Sequence, residues 1–195
     1  MPNRWNHNTH YHRLVLGAVP MGARTALDAG AGDGLLAAEL RGIVPHVTAI
    51  DLNPGVVERS RRSVTDVEWI VGDIMTHPLS QANLVASIAM VHHLPDLTAG
   101  LRRLKALTAP GGALVVVGLA RSAGPVDFAM DAVGALQHRA IAGRRGFWQH
   151  TAPKTQVFPH TYRQVKRIAS AELAGMRWRR LPLFRYVITW RAPGP

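Results

Sequence analysis

Short apolar runs alternate along the chain with segments whose apolar residues recur at helical spacing. Residues 1–20 predict an N-terminal helical arm, closed by the apolar LVLGAVP. A first strand is expected over Arg24 to Asp28, then a glycine-rich turn and a helix to about Arg41, where Gly42 supplies a stop. HVTAID reads as a second strand, and NPGVVERSRRS opens a helix with Asn53 as N-cap and Pro54 at the first helical position. VEWIVGD, NLVASIAM and ALVVVGL supply a third, fourth and fifth strand. The amphipathic LTAGLRRLKAL lies between the last two, before the Pro110-Gly111-Gly112 turn. This alternation predicts an α/β fold: a Rossmann-like open sheet, mostly parallel, with helices on both faces.

Beyond Ala120 the rhythm changes. A helix is expected over Val126 to Ile141, then a loop rich in Gly, Arg, His and Pro, so 121–158 reads as an insertion that forms a lid or substrate wall. Thr161 and Gln164 have the spacing of a capping box for a helix ending near Ala174. The tail MRWRRLPLFRYVITWRA predicts an antiparallel strand pair about Leu181-Pro182-Leu183 that closes the sheet edge. Its second strand alternates Phe184, Tyr186, Ile188 and Trp190 against Arg185, Val187, Thr189 and Arg191. No repeat or linker interrupts the pattern, so residues 1–195 read as a single domain.

Composition narrows the function. A 47% hydrophobic content suits a domain with a real core. No apolar run approaches the length of a bilayer, and the N-terminus lacks the basic-then-apolar order of a secretory signal, so a cytoplasmic protein is expected. The absence of cysteine excludes disulfides, thiolate metal sites and a cysteine nucleophile. The net charge of +11 raises the prospect of nucleic acid or acidic partners. Its arginines, however, are spread over groups such as Arg59, Arg61 and Arg62, Arg102 and Arg103, and Arg177, Arg179 and Arg180, which also suits solvated helix faces.

The richest stretch chemically is TALDAGAGDGLLAAEL, a strand, a turn with glycine at positions 30, 32 and 34, and a helix start. Glycine permits positive φ and close approach of a ligand to the backbone. The spacing departs from the dinucleotide fingerprint, because Leu35 stands where the third glycine belongs. Asp28 and Asp33 flank the turn and would repel a pyrophosphate, so a ligand with positive charge fits better; a purely structural turn is the plain alternative. Asp51 ends the second strand where a carboxylate can accept both hydroxyl protons of a ribose, and Asp73 stands in the same place after the third. Taken singly, each also suits a strand-end turn.

DAGAGDG resembles motif I of the class I S-adenosylmethionine-dependent methyltransferases, and LTAPGGALVVVGL resembles their turn and fifth strand, so the likeness runs from about Thr25 to Leu119. It implies that S-adenosylmethionine is the cofactor, that Gly30, Ala31 and Gly32 admit its methionine moiety and ribose, and that Asp28 helps hold the ammonium. It further implies that Asp73 holds the adenine amino group with Ile74 packing the ring, and that Leu52, Gly72, Ala89 and Tyr11 complete the cofactor site.

The stretch after the fourth strand, SIAMVHHLPDL, has no Asp/Asn-Pro-Pro-Tyr sequence. VHHLPD resembles the versions in small-molecule methyltransferases of quinone and natural-product pathways. The expected acceptor is an oxygen or nitrogen of a small metabolite. Holding it in line with an activated methyl group supplies much of the rate, and a hydroxyl acceptor also needs its proton removed. His93 and His92 are the first candidates as base; His12 and His10, on the arm, are the second; a packing or loop role is the plainer reading of each taken singly. No metal is expected, since neither His92, His93 and Asp96 nor HNTHYH has the spacing of a zinc site. Trp148, His150, Phe158 and Tyr162 could wall an aromatic acceptor pocket or simply pack in the core. The rival readings are an RNA methyltransferase with the same cofactor site, and a non-catalytic module that keeps the fold. A monomer or homodimer without membrane attachment is expected.

Overall fold

The computed structural model describes residues 5–148 and 158–194. Strands β1 (Thr25–Ala29), β2 (His46–Asp51), β3 (Glu68–Val71), β4 (Ala82–Ile88), β5 (Thr108–Gly118), β6 (Arg177–Leu181) and β7 (Arg185–Arg191) form one sheet in the order β3-β2-β1-β4-β5-β7-β6. The first five pair in parallel, and β7 runs antiparallel to both β5 and β6. The chain leaves β1 toward β2 on one side and returns to β4 on the other. A crevice therefore opens beyond the carboxyl ends of β1 and β4, the place where open α/β sheets bind ligands.

Helices α1 (His12–Leu16), α2 (Leu35–Arg41), α3 (Pro54–Ser63), α4 (Leu97–Ala106), α5 (Pro125–Arg145) and α6 (Tyr162–Glu172) cover the sheet. Leu36, Leu40 and Val57 pack on one face with Val15, and Leu101, Leu104, Val165 and Leu173 pack on the other. The caps follow the sequence. Asn53 accepts from the N–H groups of Gly55 and Val56, and Thr161 and Gln164 bond reciprocally as a capping box. The N-terminal arm is shorter in helix than its apolar spacing predicts, a single turn over Thr9–Tyr11 followed by α1. The Asn6 carboxamide shapes its entry by accepting from the N–H groups of Asn8 and Thr9.

The tail differs from its expected alternation. Arg185 and Val187 are as buried as Tyr186, Ile188 and Trp190. The reason is position: β6, not β7, forms the sheet edge, and helices lie on both faces of β7. The β6–β7 turn carries Leu183 and Phe184, two non-glycine residues in the left-handed region at φ 53° and 62°, each costing about 1–2 kcal/mol. Helix α5 holds this turn: a Cβ on its buried Gly134 would lie 2.9 Å from the Leu183 backbone nitrogen, so helix and turn touch without a side chain between them. Helix α5 is longer than expected, running on to Arg145.

Candidate active site

The crevice is a cavity of about 1380 Å³, larger than the roughly 300–1,000 Å³ that encloses one drug-sized ligand. One end is built on β1, β2 and β3. Asp28, on β1, is 2% exposed, and its Oδ2 has no hydrogen-bond partner among the described residues. Burial pushes its carboxyl up to about 7; Asp51 adds to that, and His12 opposes it. A buried acceptor without a donor suits a cation.

The glycine turn above it divides its work. A Cβ at Gly30 would strike the Met90 side chain, and one at Gly34 would strike the Trp69 ring, so packing fixes both. Gly32 alone among the three has open space where its Cβ would be. Asp51 holds the turn in place: its Oδ2 accepts from Gly32 N–H and its Oδ1 from Asn53 N–H, both at 2.9 Å. Each carboxylate oxygen has a second lone pair, so the group keeps capacity for ribose hydroxyls. Asp73 accepts from Met75 N–H at 2.9 Å, its carbonyl starts the next turn, and its side chain stays exposed. Leu52 is 72% exposed over the cavity, whereas Ile74 is buried in its floor. Ala89 lies at φ 55°, a strained residue at the end of β4.

The other end lies beyond β4 and β7. His92 and His93 sit on a turn with their rings 4.2 Å apart. Burial, then His93 and Arg185, hold the His92 imidazole down to about 3, and its Nδ1 has no partner among the described residues. His93 is exposed to the cavity. Asp96 caps α4 by accepting from Thr98 and Ala99 N–H. Phe147, Trp148, Phe158, Tyr162 and Phe184 supply an aromatic lining. His7, from the arm, also reaches this wall, and burial, with Arg185 and His138, keeps its imidazole down to about 4.

The structure thus brings Asp28, Gly30, Ala31, Gly32, Asp51, Leu52, Gly72, Asp73, Ile74, Ala89, His12, His92 and His93 to one cavity. Tyr11 is the exception: its hydroxyl donates to the Pro182 carbonyl, which turns the ring into the core and away from the cavity lining. His12 lies beside Asp28 with Nδ1 3.0 Å from Glu39, at the Asp28 end of the cavity and not with the other two histidines. Of the aromatic wall expected from sequence, Trp148, Phe158 and Tyr162 line the cavity, and His150 lies outside the described residues. Sequence patterning misplaced Arg185, because alternation put it on a solvent face, and it passed over His7 and Phe184.

A family model described as a methyltransferase domain matches residues 27–116. The chain is 37% identical to an uncharacterized methyltransferase of Mycobacterium tuberculosis, across 99% of this chain and all of that protein. It is also 37% identical to a ubiquinone biosynthesis O-methyltransferase of Xanthomonas axonopodis pv. citri, over 60% of this chain and half of that protein. The fold matches the N-methyltransferase NodS of Bradyrhizobium japonicum in complex with S-adenosylhomocysteine, with a TM-score of 0.62, 16% identity, and 95% and 87% of the two chains covered. On its glycine turn, its strand-end aspartates, its sheet order and these likenesses, the chain belongs to the class I S-adenosylmethionine-dependent methyltransferases.

Proposed function

We propose that this protein transfers a methyl group from S-adenosylmethionine to an oxygen or nitrogen of a small molecule held in the aromatic end of the cavity. The observation that carries the reading is continuity: one partly open cavity joins the three strand-end aspartates to His92, His93 and the aromatic wall. When bound, the cofactor supplies a methyl group activated by positive sulfur. Asp28 would take the ammonium with its free Oδ2, Asp51 the ribose hydroxyls, and Asp73 the adenine edge, with Leu52 and Ile74 against the ring. The turn at Val91–His93 brings His92 and His93 to the lining of the remaining space. His92 stays neutral across the physiological range and orients the acceptor; His93 is the group placed to take a proton from a hydroxyl. Confinement in line accounts for the rest of the rate.

RNA as the acceptor is favoured by the charge of +11, and Arg13, Arg144 and Arg145 meet beside His10, but other basic groups are divided between the two sheet edges. Arg59, Arg61 and Arg62 lie on α3 by the β3 edge, while Arg177 and Arg179 lie on β6 at the opposite edge. Arg62 pairs with Glu58, Arg102 with Glu172 and Arg180 with Asp131, and Arg103 donates to the Ile74 and His77 carbonyls. A non-catalytic module would be expected to close the space beside His93, which here lies open to the cavity. The test is a methyl-transfer assay with labelled S-adenosylmethionine against small phenols, amines and acids in parallel with bulk RNA. Label in a small acceptor is expected; label in RNA alone would overturn the reading.

A further inference from the structure

Arg185 is the least expected group in the cavity wall. It opens β7, is 7% exposed, and lines the same space as His92 and Tyr162. Among the described residues its hydrogen-bond partners are all neutral. Nη2 donates to Asn8 Oδ1 at 2.8 Å, Nη1 makes long contacts of 3.4 and 3.3 Å with the Leu183 and Phe184 carbonyls, and Nε has no acceptor among the described residues. The nearby carboxylates are taken by another arginine: Arg180 Nη2 donates to Asp131 at 2.7 Å, and its Nε lies 4.0 Å from Asp127. Among the described residues, the side chains facing Arg185 give no counter-charge. Burial raises the phenols of Tyr11 and Tyr162, and it keeps His7 and His92 uncharged.

A desolvated guanidinium with neutral partners is costly, and its forked donors match an oxyanion. The cofactor's own carboxylate is a poor match. It is bonded to the carbon that carries the ammonium, and that ammonium is assigned to Asp28. Asp28 feels the charges of His12 and Asp51, whereas Arg185 feels Tyr162 and Tyr11, so the two groups occupy separate charge environments. They stand on β1 and β7, with β4 and β5 between them, about 14 Å apart across the sheet.

We propose that the methyl acceptor is a carboxylic acid whose carboxylate sits on Arg185, with its apolar body against Phe158, Tyr162 and Phe184. This rests on the methyltransferase reading for the word acceptor, but not for the anion site. The site therefore holds opposite charges at its two ends, Asp28 for a cation and Arg185 for an anion.

The experiment titrates the full chain, with and without saturating S-adenosylhomocysteine, with benzoate, hexanoate, their neutral amides and inorganic phosphate. The acids are expected to bind at least about tenfold more tightly than the amides and than phosphate. Arg185→Met is expected to erase that preference, leave S-adenosylhomocysteine affinity within about twofold, and keep or raise the melting temperature, since an unpaired buried charge has been removed. Equal binding of acid and amide by the wild-type chain, or binding of neither, overturns the proposal without any variant. Weakened S-adenosylhomocysteine binding by Arg185→Met would assign the group to the cofactor, and a lower melting temperature with the acid preference intact would make it a tether for Asn8. Should S-adenosylhomocysteine fail to bind while the Arg185-dependent preference persists, the anion site stands and the methyltransferase reading falls.

Discussion

Asp28 titrates against the usual direction of a native carboxylate. Its folded value of about 7 lies above its ordinary 3.8, so between those values the native state holds a proton that the unfolded chain has released. Its contribution to stability is present below about pH 4 and lost as pH rises through about 7. A bound ammonium restores the ionised form. Cofactor affinity should therefore rise with pH up to about 7, with about one proton released per site at pH 6. Asp28→Asn should release none and bind S-adenosylhomocysteine about 10- to 100-fold more weakly, the value of a charged hydrogen bond, while the free protein at pH 8 melts no lower than the wild type. Calorimetry in buffers of different ionisation enthalpy reads the proton count. At the other end, His93→Gln should lower kcat by about a hundredfold or more at unchanged S-adenosylhomocysteine affinity. His92→Gln should leave the shape of the pH profile unchanged, because the wild-type ring is neutral above about pH 3. A pH–rate series on both variants separates the roles. The strand-end aspartates were legible in sequence because their spacing from the glycine turn is local. Arg185 was not, since a buried charge is recognised only once the elements that cover it are known.

At the level of elements, β5 and β7 are locked by one ring. Tyr186 pairs in register with Gly118, stacks on Trp178 with centroids 4.7 Å apart, and is fully buried. A Cβ at Gly118 would lie against the Tyr186 hydroxyl oxygen and ring, so Gly118→Ala should cost about 1–3 kcal/mol by overpacking. Gly143 on α5 meets nothing within 4 Å, and Gly143→Ala there should stabilise by about 0.5–1 kcal/mol through helix propensity. Urea unfolding of the two variants measures both signs. Strands β1 to β5 were readable because buried parallel strands appear as short apolar runs bounded by turns. The terminal pair was readable as strands, but its facing was not: a period of two says which residues share a face, and leaves open what packs on each. The left-handed conformations of Leu183 and Phe184 had no sequence signal, because neither is glycine or asparagine; the contact of Gly134 with the turn supports them.

Across the whole molecule, the sheet order sets where the crevice opens, and the N-terminal arm and the residues after α5 line one end of it. The arm lays Asn6, His7 and Asn8 along the cavity, and Trp148 N–H bonds back to the Trp5 carbonyl, which ties the arm to the residues after α5. Among the described residues no helix is long and apolar enough to cross a membrane. The excess positive charge is divided between both sheet edges and a group of Arg13, Arg144 and Arg145 beside His10, and is partly paired, whereas the candidate site residues converge on the cavity. The most direct measurement is calorimetric titration of the wild-type chain with S-adenosylhomocysteine at pH 6 and pH 8. One site per chain, tighter at pH 8 and releasing about one proton at pH 6, is the expected result. No heat of binding at near-millimolar ligand, or tight binding without proton release that Asp28→Asn leaves intact, would contradict the cofactor site described.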